Sequence, residues 1–214
     1  MVSEMNTDHM DLYAAPTWQC VMVCWGTKYS TALINNLARS IANKTASQPR
    51  FILISDRERA DLADNIELVR FPGYWLQDRL KTSGCQAKLV MFEHGIVPTD
   101  LPAIYVDLDT IVLGDLSTGL DLMQNRQTVA MLQSAIIPFG WIGRSLYRWT
   151  NRRRYARGNS SFVIYHPAEC HFIAERFKAL LEKHPRLEFR PMAADERFIS
   201  WVAQEHMVRI PNSF

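Results

Sequence analysis

Two acidic side chains separated by a single residue, Asp107 and Asp109, are the part of this 214-residue sequence whose types and spacing most clearly indicate chemistry. They follow an apolar run that begins at Ala103. Side chains along a strand alternate between its two faces, so both carboxylates are expected on the same side while Leu108 points into the core. Two such carboxylates repel each other, and one tends to hold a proton unless a divalent cation binds between them. The spacing therefore predicts a cation site.

A cation site of this kind also indicates the class of ligand. Carboxylate oxygens select Mg²⁺ or Mn²⁺ over zinc, and substrate phosphates and waters normally complete the coordination of such ions. Ligands of open α/β sheets lie beyond the carboxyl ends of the strands, where the pair is expected. We therefore predict a phosphate-bearing ligand.

Two other interpretations of the pair remain open. The first is a solvated turn, in which Asp is common. The second is the nucleophile of a phosphatase of the haloacid dehalogenase type, whose D-x-D-x-T motif usually follows the first strand. Thr110 directly follows the second acid and the motif lies in the middle of the chain, which disfavours the phosphatase.

The elements that would position the pair alternate between strands and helices. Such alternation predicts an α/β fold with a mostly parallel sheet flanked by helices. Pro167 is expected in the first turn of its helix, and the strands at 51–55 and 66–71 are expected to be buried on both faces. We predict one domain over residues 17–214, after an irregular lead-in over residues 1–16. Strands are predicted at 18–25, 51–55, 66–71, from 103 into the acidic pair, 128–132 and 161–165, and helices at 30–45, 87–94, 166–184 and 195–206.

Composition and charge exclude several classes of protein. Hydrophobic residue types make up 48% of the chain and charged types 21%, which argues against a disordered or coiled-coil protein. The formal net charge of +2 gives no general electrostatic case for nucleic acid binding. Four cysteines without a CxxC pair predict buried thiols in a reducing compartment. The N-terminus does not fit a secretory signal and no run approaches the ~18–20 apolar residues of a membrane helix, so a cytoplasmic location is predicted.

The segment around the acidic pair resembles a known family. YVDLDTIVLGDL, at 105–116, is similar to the signature of nucleotide-sugar-dependent glycosyltransferases with the GT-A fold, especially the family 8-like group. Other segments resemble this family in the same order, so that the resemblance covers roughly residues 18–210: VMVCWGTKYS, FILISD, AKLVMFEHG, GNSSFVIYHP and ADERFIS.

The resemblance implies a role for each candidate residue. Asp107 and Asp109 would hold Mn²⁺ or Mg²⁺ against the diphosphate of a nucleotide sugar, with Asp107 also near the ribose. Lys88 would face the diphosphate or the donor sugar, and a lysine in the first turn of an apolar helix is a point charge suited to phosphate. The other implied contacts are Thr27, Lys28 and Tyr29 at the base and ribose, Asp56 at the base, Asn159 and Ser160 on sugar hydroxyls or phosphate oxygens, and Asp195 and Glu196 on donor and acceptor hydroxyls at the reacting carbon.

The same residues also have purely structural interpretations. Lys88 could be a solvated helix residue, and Asn159 with Ser160 could form a turn before a strand. Asp195 and Glu196 could be the acids that are favoured in the first turn of a helix.

Two departures from the family pattern bear on this site. The family usually has Gln where Glu196 stands, so this chain carries an additional carboxylate. The family also usually supplies a His near the C-terminus as a third metal ligand. His206 is the only nearby histidine and is not assigned that role. Either two carboxylates hold the cation with phosphate and water, or the site is more open than usual.

The implied reaction is hexosyl transfer from a nucleoside diphosphate sugar, with UDP favoured, to a hydroxyl of a glycan, lipid or protein. The resemblance implies retention of configuration, although a carboxylate base at Asp195 or Glu196 would also fit inversion. The main alternative is a nucleotide-sugar-binding protein without turnover, followed by a metal-dependent phosphatase or nucleotidyltransferase.

One strongly basic segment, residues 144–157, stands out from the balanced charge of the chain. It is predicted as an exposed helix and loop, because charge runs are usually solvated. Alternatively, it faces the acceptor or the diphosphate, with Trp149 or Tyr155 stacking on a sugar, or it contacts a membrane surface or a nucleic acid.

Overall fold

The computed structural model describes residues 15–211. The predicted lead-in lies outside that range except for its last two residues, and so do the last three residues of the predicted domain. The strands are β1 (Gln19–Cys24), β2 (Arg50–Ser55), β3 (Ile66–Arg70), β4 (Ala103–Val106), β5 (Val129–Gln133), β6 (Gly158–Tyr165) and β7 (Met207–Arg209). The α-helices are α1 (Thr31–Ala42), α2 (Trp141–Trp149), α3 (Phe172–Lys183) and α4 (Asp195–Val202), and 3₁₀ helices lie at Gly73–Leu76, Asp78–Leu80, Gln86–Phe92, Leu116–Leu122 and Arg190–Ala193.

Within the described residues, the strands form one seven-stranded sheet in the order β3-β2-β1-β4-β6-β5-β7. β1 is parallel to β2 and β4, β2 is parallel to β3, and β5 is parallel to β7. β6 alone runs against its neighbours, β4 and β5. The predicted α/β class with a mostly parallel sheet flanked by helices is confirmed.

Two apolar cores cover the faces of the sheet. All of β1 is buried, and its side chains alternate between the cores, with Val21 and Val23 facing α3 and α4 while Cys20 and Cys24 face α1. β2 is buried in the same way. The expected burial of β3 is wrong, because β3 is an edge strand and only Ile66 within it is buried.

Three predicted helices depart most from the structure. The segment expected as a helix at 87–94 is a 3₁₀ helix at Gln86–Phe92. All of its residues are buried, so the segment carries no amphipathic periodicity from which the type of helix could be predicted. Pro167 lies in a separate turn, in which the Cys170 N–H donates a hydrogen bond to the His166 carbonyl at 3.1 Å. α3 therefore begins at Phe172, later than the predicted residue 166. The final helix ends at Val202, before the predicted residue 206.

β6 begins at Gly158, so Asn159 and Ser160 lie within a strand rather than in a turn before it. The register between β5 and β6 shifts between Met131 and Leu132, which leaves residues 160–162 of β6 without partners in β5. Bulges of this kind redirect side chains and are frequent beside functional sites.

The basic segment forms the second half of α2 and the loop that follows it, as predicted. Trp149 is 85% exposed, so its ring packs on little of the protein. No helix within residues 15–211 is long and apolar enough to cross a membrane.

Candidate functional site

The candidate residues gather at one edge of the sheet. β1, β2 and β4 all end at this edge because they are parallel, and β6 begins there because it is antiparallel to β4. Asp107 follows β4 directly, and its N–H donates to the carbonyl of Ser161 in β6 at 2.9 Å. The antiparallel course of β6 therefore places Asn159 and Ser160 beside the acidic pair.

Lys88 lies at the centre of a buried charged network. Its Nζ is 2.9 Å from Oδ1 of Asp107 and 3.2 Å from Oδ2 of Asp195. Nζ also donates to Oγ of Ser160 at 3.4 Å, and that hydroxyl donates to Oδ2 of Asp195 at 2.7 Å. The Lys88 side chain is 9% exposed and that of Asp195 7%, so the interpretation of Lys88 as a solvated helix residue is wrong.

The surroundings of Lys88 keep its ammonium charged. Burial alone would lower the pKa of Lys88, but the carboxylates of Asp195 and Asp107 outweigh it and hold that pKa above its ordinary value. Nζ lies 5.3 Å from the centre of the Tyr105 ring. Burial, followed by the charge of Asp107, raises the pKa of Tyr105, so its hydroxyl stays protonated and donates to Oδ1 of Asp107.

Asp109 is the exposed member of the pair. Its Oδ2 accepts from the Tyr29 hydroxyl at 2.9 Å, and Lys28 Nζ donates to that hydroxyl at 2.7 Å. This chain of hydrogen bonds ties the turn after β1 to the turn after β4. Leu108 between the two acids is buried, as predicted.

The donor set fits a hard divalent cation. Asp107 uses Oδ1 in its hydrogen bonds and Asp109 uses Oδ2, which leaves one oxygen of each carboxylate for a cation. Both acids line one cleft. No group of three or more His, Cys, Asp or Glu side chains suited to a metal occurs in the described range, so any cation there would take its remaining ligands from substrate and water.

Two clefts flank the buried network. The carboxylate cleft, about 420 Å³, is lined by residues that include Lys28, Tyr29, Cys85, Lys88, Asp107 and Asp109. The basic cleft, about 1310 Å³, is lined by residues that include Arg157, Asn159 and Glu196. Asp195 is buried and pairs with Lys88 of the carboxylate cleft. It is also the first residue of α4, directly before Glu196 of the basic cleft. Burial, followed by the charge of Asp195, raises the pKa of Glu196.

The two remaining candidates lie beside the carboxylate cleft. Thr27 is exposed in the turn after β1. Asp56 follows β2, accepts from the Gly26 N–H at 3.0 Å and pairs with Arg57 at 3.0 Å. The Asp56 carboxylate thus holds the turn that carries Thr27 and Lys28, and its prediction as a base contact stays a prediction.

Sequence reasoning missed two residues that shape the site. Tyr105 precedes Asp107 by two positions on the same side of the chain, so the alternation of the strand could have identified it. Arg59 is nearly buried and donates to the carbonyls of Tyr29 and Gly26 at 3.0 and 3.1 Å, which fixes the turn after β1. No sequence signal identified Arg59, because its partners lie about thirty positions away in the chain.

Comparison with known proteins supports the fold. No family model and no curated protein matches the chain. Among solved structures, the galactosyltransferase LgtC in complex with donor and acceptor sugar analogs matches with a TM-score of 0.63 and 12% identity, over 92% of this chain and 74% of its own. Mouse xyloside xylosyltransferase 1 matches with a TM-score of 0.52 and 12% identity, over 92% of this chain and 86% of its own. The glycosyltransferase GlyE of Streptococcus pneumoniae matches with a TM-score of 0.57 and 13% identity, over 93% of this chain and 46% of its own. These matches confirm the predicted GT-A fold and its likeness to family 8-like glycosyltransferases, and at such identities they show the fold alone.

Proposed function

We propose that this protein is a metal-dependent hexosyltransferase that moves a sugar from a nucleoside diphosphate sugar, with UDP favoured, to a hydroxyl of a glycan, lipid or protein in the cytoplasm. The observation that carries the proposal is the position of Lys88. It bridges Asp107 in the carboxylate cleft and Asp195, which adjoins Glu196 in the basic cleft. Transfer needs two substrates to meet at one charged centre. Lys88 and Asp107 of this network line the carboxylate cleft, and Glu196, the chain neighbour of Asp195, lines the basic cleft.

The carboxylate cleft is the proposed donor site. Its volume of about 420 Å³ lies within the ~300–1,000 Å³ that is usual for small-molecule pockets. Asp107 and Asp109 would hold Mn²⁺ or Mg²⁺, which when bound supplies positive charge next to the leaving diphosphate. Thr27, Lys28 and Tyr29 would contact base and ribose. Asn159 lines the basic cleft and Ser160 is buried against Lys88 and Asp195, so the proposed donor site includes neither.

Lys88 is the proposed electrostatic catalyst. When the bond between the anomeric carbon and the diphosphate oxygen breaks, its electron pair stays on the diphosphate and negative charge grows there. The Lys88 ammonium lines the cleft and is held in place by two carboxylates, so it needs no reorganisation to stabilise that charge. Asp195 and Ser160 act by holding this ammonium in position.

Glu196 is the proposed base for the acceptor hydroxyl. It lines the basic cleft, whereas Asp195 is buried and already occupied by Lys88 and Ser160. A base there fits inversion, and the resemblance implies retention. The anomeric configuration of the product decides between the two courses.

Replacing Glu196 with glutamine is expected to lower kcat by about 10²-fold and to remove the acidic limb of the pH–rate profile, because a neutral amide accepts no proton. The pKa of Glu196 is raised, so transfer by the parent enzyme should fall as pH drops toward that pKa. Glu182→Gln, which makes the same change in charge at an exposed glutamate outside both clefts, is the control. An acidic limb that persists in Glu196→Gln would contradict this role.

The overall proposal is tested by titrating UDP, GDP and their sugars with and without Mn²⁺ in a calorimeter, and by assaying release of free UDP. We expect UDP to bind only with Mn²⁺ and UDP-sugars to be hydrolysed slowly without acceptor. Metal-dependent binding without any release of UDP would support the non-catalytic alternative. Absence of metal-dependent nucleotide binding would reject both.

Alkylation of Cys85 is expected to locate the nucleotide. Cys85 is the half-buried thiol of the four and lines the carboxylate cleft, whereas Cys20, Cys24 and Cys170 are buried. We expect iodoacetamide to modify Cys85 alone under native conditions, at a rate that UDP with Mn²⁺ lowers by about tenfold or more, because the bound nucleotide covers the thiol. Mass spectrometry identifies the site, Cys85→Ser is the control, and unchanged labelling with UDP and Mn²⁺ would place the nucleotide elsewhere.

A further inference from the structure

The basic cleft concentrates positive charge to an unusual degree for this chain. Its lining contains one acid, Glu196, within the described residues. The whole protein carries a formal net charge of only +2, so this concentration is local. Six arginines line the cleft: Arg152, Arg153, Arg154, Arg157, Arg176 and Arg190.

No carboxylate pairs with these six arginines within residues 15–211, a state that they share with scattered surface arginines such as Arg39 and Arg126. Elsewhere in residues 15–211, Arg50 pairs with Asp100 at 2.8 Å and Arg148 with Glu205 at 2.7 Å. None of the six cleft arginines takes part in an ion pair of the described range, and Arg152 instead lies 5.7 Å from the centre of the Tyr147 ring. Gathering like charges in one cleft raises the electrostatic energy, and binding of an anion lowers it.

The remainder of the lining suits a sugar ring. Tyr155 and Phe189 are half-buried in the cleft walls and present aromatic surface, and Asn159 supplies an amide. Ligand sites commonly combine such apolar surface with a few polar groups that fix orientation. The guanidinium fork binds phosphate oxygens through two parallel hydrogen bonds, and several arginines can surround the three oxygens of one phosphate.

We infer that the basic cleft binds a phosphorylated saccharide, and that the acceptor of the transfer reaction carries a phosphate group. The acceptor role rests on the proposed function, since it follows from Glu196 being both a wall of this cleft and the neighbour of Asp195. A carboxylate-bearing sugar offers the same six arginines only two oxygens. A phosphate group, with three oxygens, can therefore accept hydrogen bonds from more of these arginines than a carboxylate can.

The experiment is a calorimetric titration of the intact protein at fixed ionic strength with glucose 1-phosphate, methyl glucoside and glucuronate. We expect glucose 1-phosphate to bind at least about tenfold more tightly than either other probe. Methyl glucoside makes no charge-assisted bond, and the carboxylate of glucuronate offers the arginines less charge and fewer oxygens than phosphate does. Arg157→Gln and Arg190→Gln should each weaken it by about tenfold. The matched control is Arg126→Gln, an exposed arginine outside the cleft that makes the same change in charge, and it should leave binding unchanged.

A second arm separates this cleft from the donor site. Saturating UDP with Mn²⁺ should not displace glucose 1-phosphate, and the two arginine variants should retain their affinity for UDP. Displacement by UDP, or loss of UDP binding in those variants, would make the basic cleft part of the donor site and overturn the inference. Equal binding of glucuronate, or binding of none of the probes in any arm, would also overturn it.

A third arm separates free from lipid-linked phosphate. The same glucose phosphate is esterified to a phytanyl chain and presented in phosphatidylcholine vesicles, and bound protein is sedimented. Binding in solution supports a soluble phosphorylated glycan, and binding only on these vesicles supports a lipid-linked one. Equal sedimentation with sugar-free phosphatidylglycerol vesicles would overturn the inference in favour of a membrane-binding surface.

These titrations require no turnover. If the proposed function fails, UDP binding is lost while the arginine-dependent binding of glucose phosphate persists. If the inference fails, UDP binding persists and the arginine-dependent binding of glucose phosphate is absent.

Discussion

Asp109→Asn is expected to lower the rate of sugar transfer by about 10³-fold while changing the free energy of unfolding by less than about 0.5 kcal/mol. Asp109 is exposed, and its one hydrogen bond in the described range comes from the Tyr29 hydroxyl, which an amide oxygen can still accept. The substitution therefore removes a cation ligand and little else. Its readouts are kcat/KM in saturating Mn²⁺, calorimetric affinity for UDP, and a urea unfolding curve.

Two comparisons isolate the cation from other effects. Asp64→Asn removes an exposed carboxylate far from both clefts and should leave all three readouts unchanged. In Asp109→Asn, we expect affinity for UDP in the presence of Mn²⁺ to fall to the value measured without metal. Metal-dependent UDP binding that survives unchanged in this variant would remove Asp109 from the proposed ligands.

Asp107→Asn is a less direct test of the same idea. Asp107 also accepts from Tyr105 and pairs with the buried Lys88, so its replacement disturbs the network as well as the cation site. For this reason a loss of rate in Asp107→Asn would not by itself identify a metal ligand. The contrast between the two acids comes from their burial rather than from their spacing.

Local spacing allowed the acidic pair to be predicted, and long-range pairing limited what followed. Asp107 and Asp109 lie two positions apart at the end of an apolar strand, so their common location follows from the chain itself. Lys88, Ser160 and Asp195 meet across separations of 35 to 107 positions, which no local pattern encodes. The resemblance to a family supplied these residues as candidates, whereas their mutual contacts came from the structure.

The direction of the strands in the sheet could also be predicted only in part from local sequence patterns. Alternating strands and helices predict a parallel sheet, and the strands up to β4 follow this rule. β6 is antiparallel and bulged, although its apolar sequence resembles that of a parallel strand. Its direction depends on the connection that contains α2. The sequence of that connection is distinguished by its positive charge, which indicates nothing about the strand that follows, so the direction of β6 could not be predicted from it. The position of Ser160 next to Lys88 follows from this one reversal.

Lys88→Met is expected to destabilise the protein by about 3–5 kcal/mol, because it leaves the buried Asp195 carboxylate and the partly buried Asp107 carboxylate without a counter-charge. Lys88 is enclosed by Asp107 and Asp195, and methionine preserves most of its volume but none of its charge. Lys81→Met, which breaks an exposed pair with Asp78, should cost no more than about 1 kcal/mol. Urea unfolding of the three proteins gives the comparison.

The pH dependence of this loss distinguishes charge from packing. The folded pKa of Lys88 lies above its ordinary value of 10.5, so its stabilising charge is complete below that pH and is lost as pH rises through the folded pKa. The difference between parent and Lys88→Met should therefore shrink in alkali. The double variant Lys88→Met/Asp195→Asn should recover part of the loss, since it removes one of the two facing charges. A loss that is independent of pH and unchanged in the double variant would mean that Lys88 fills space in the core. The charged link between the two clefts, on which the proposed reaction depends, would then be absent.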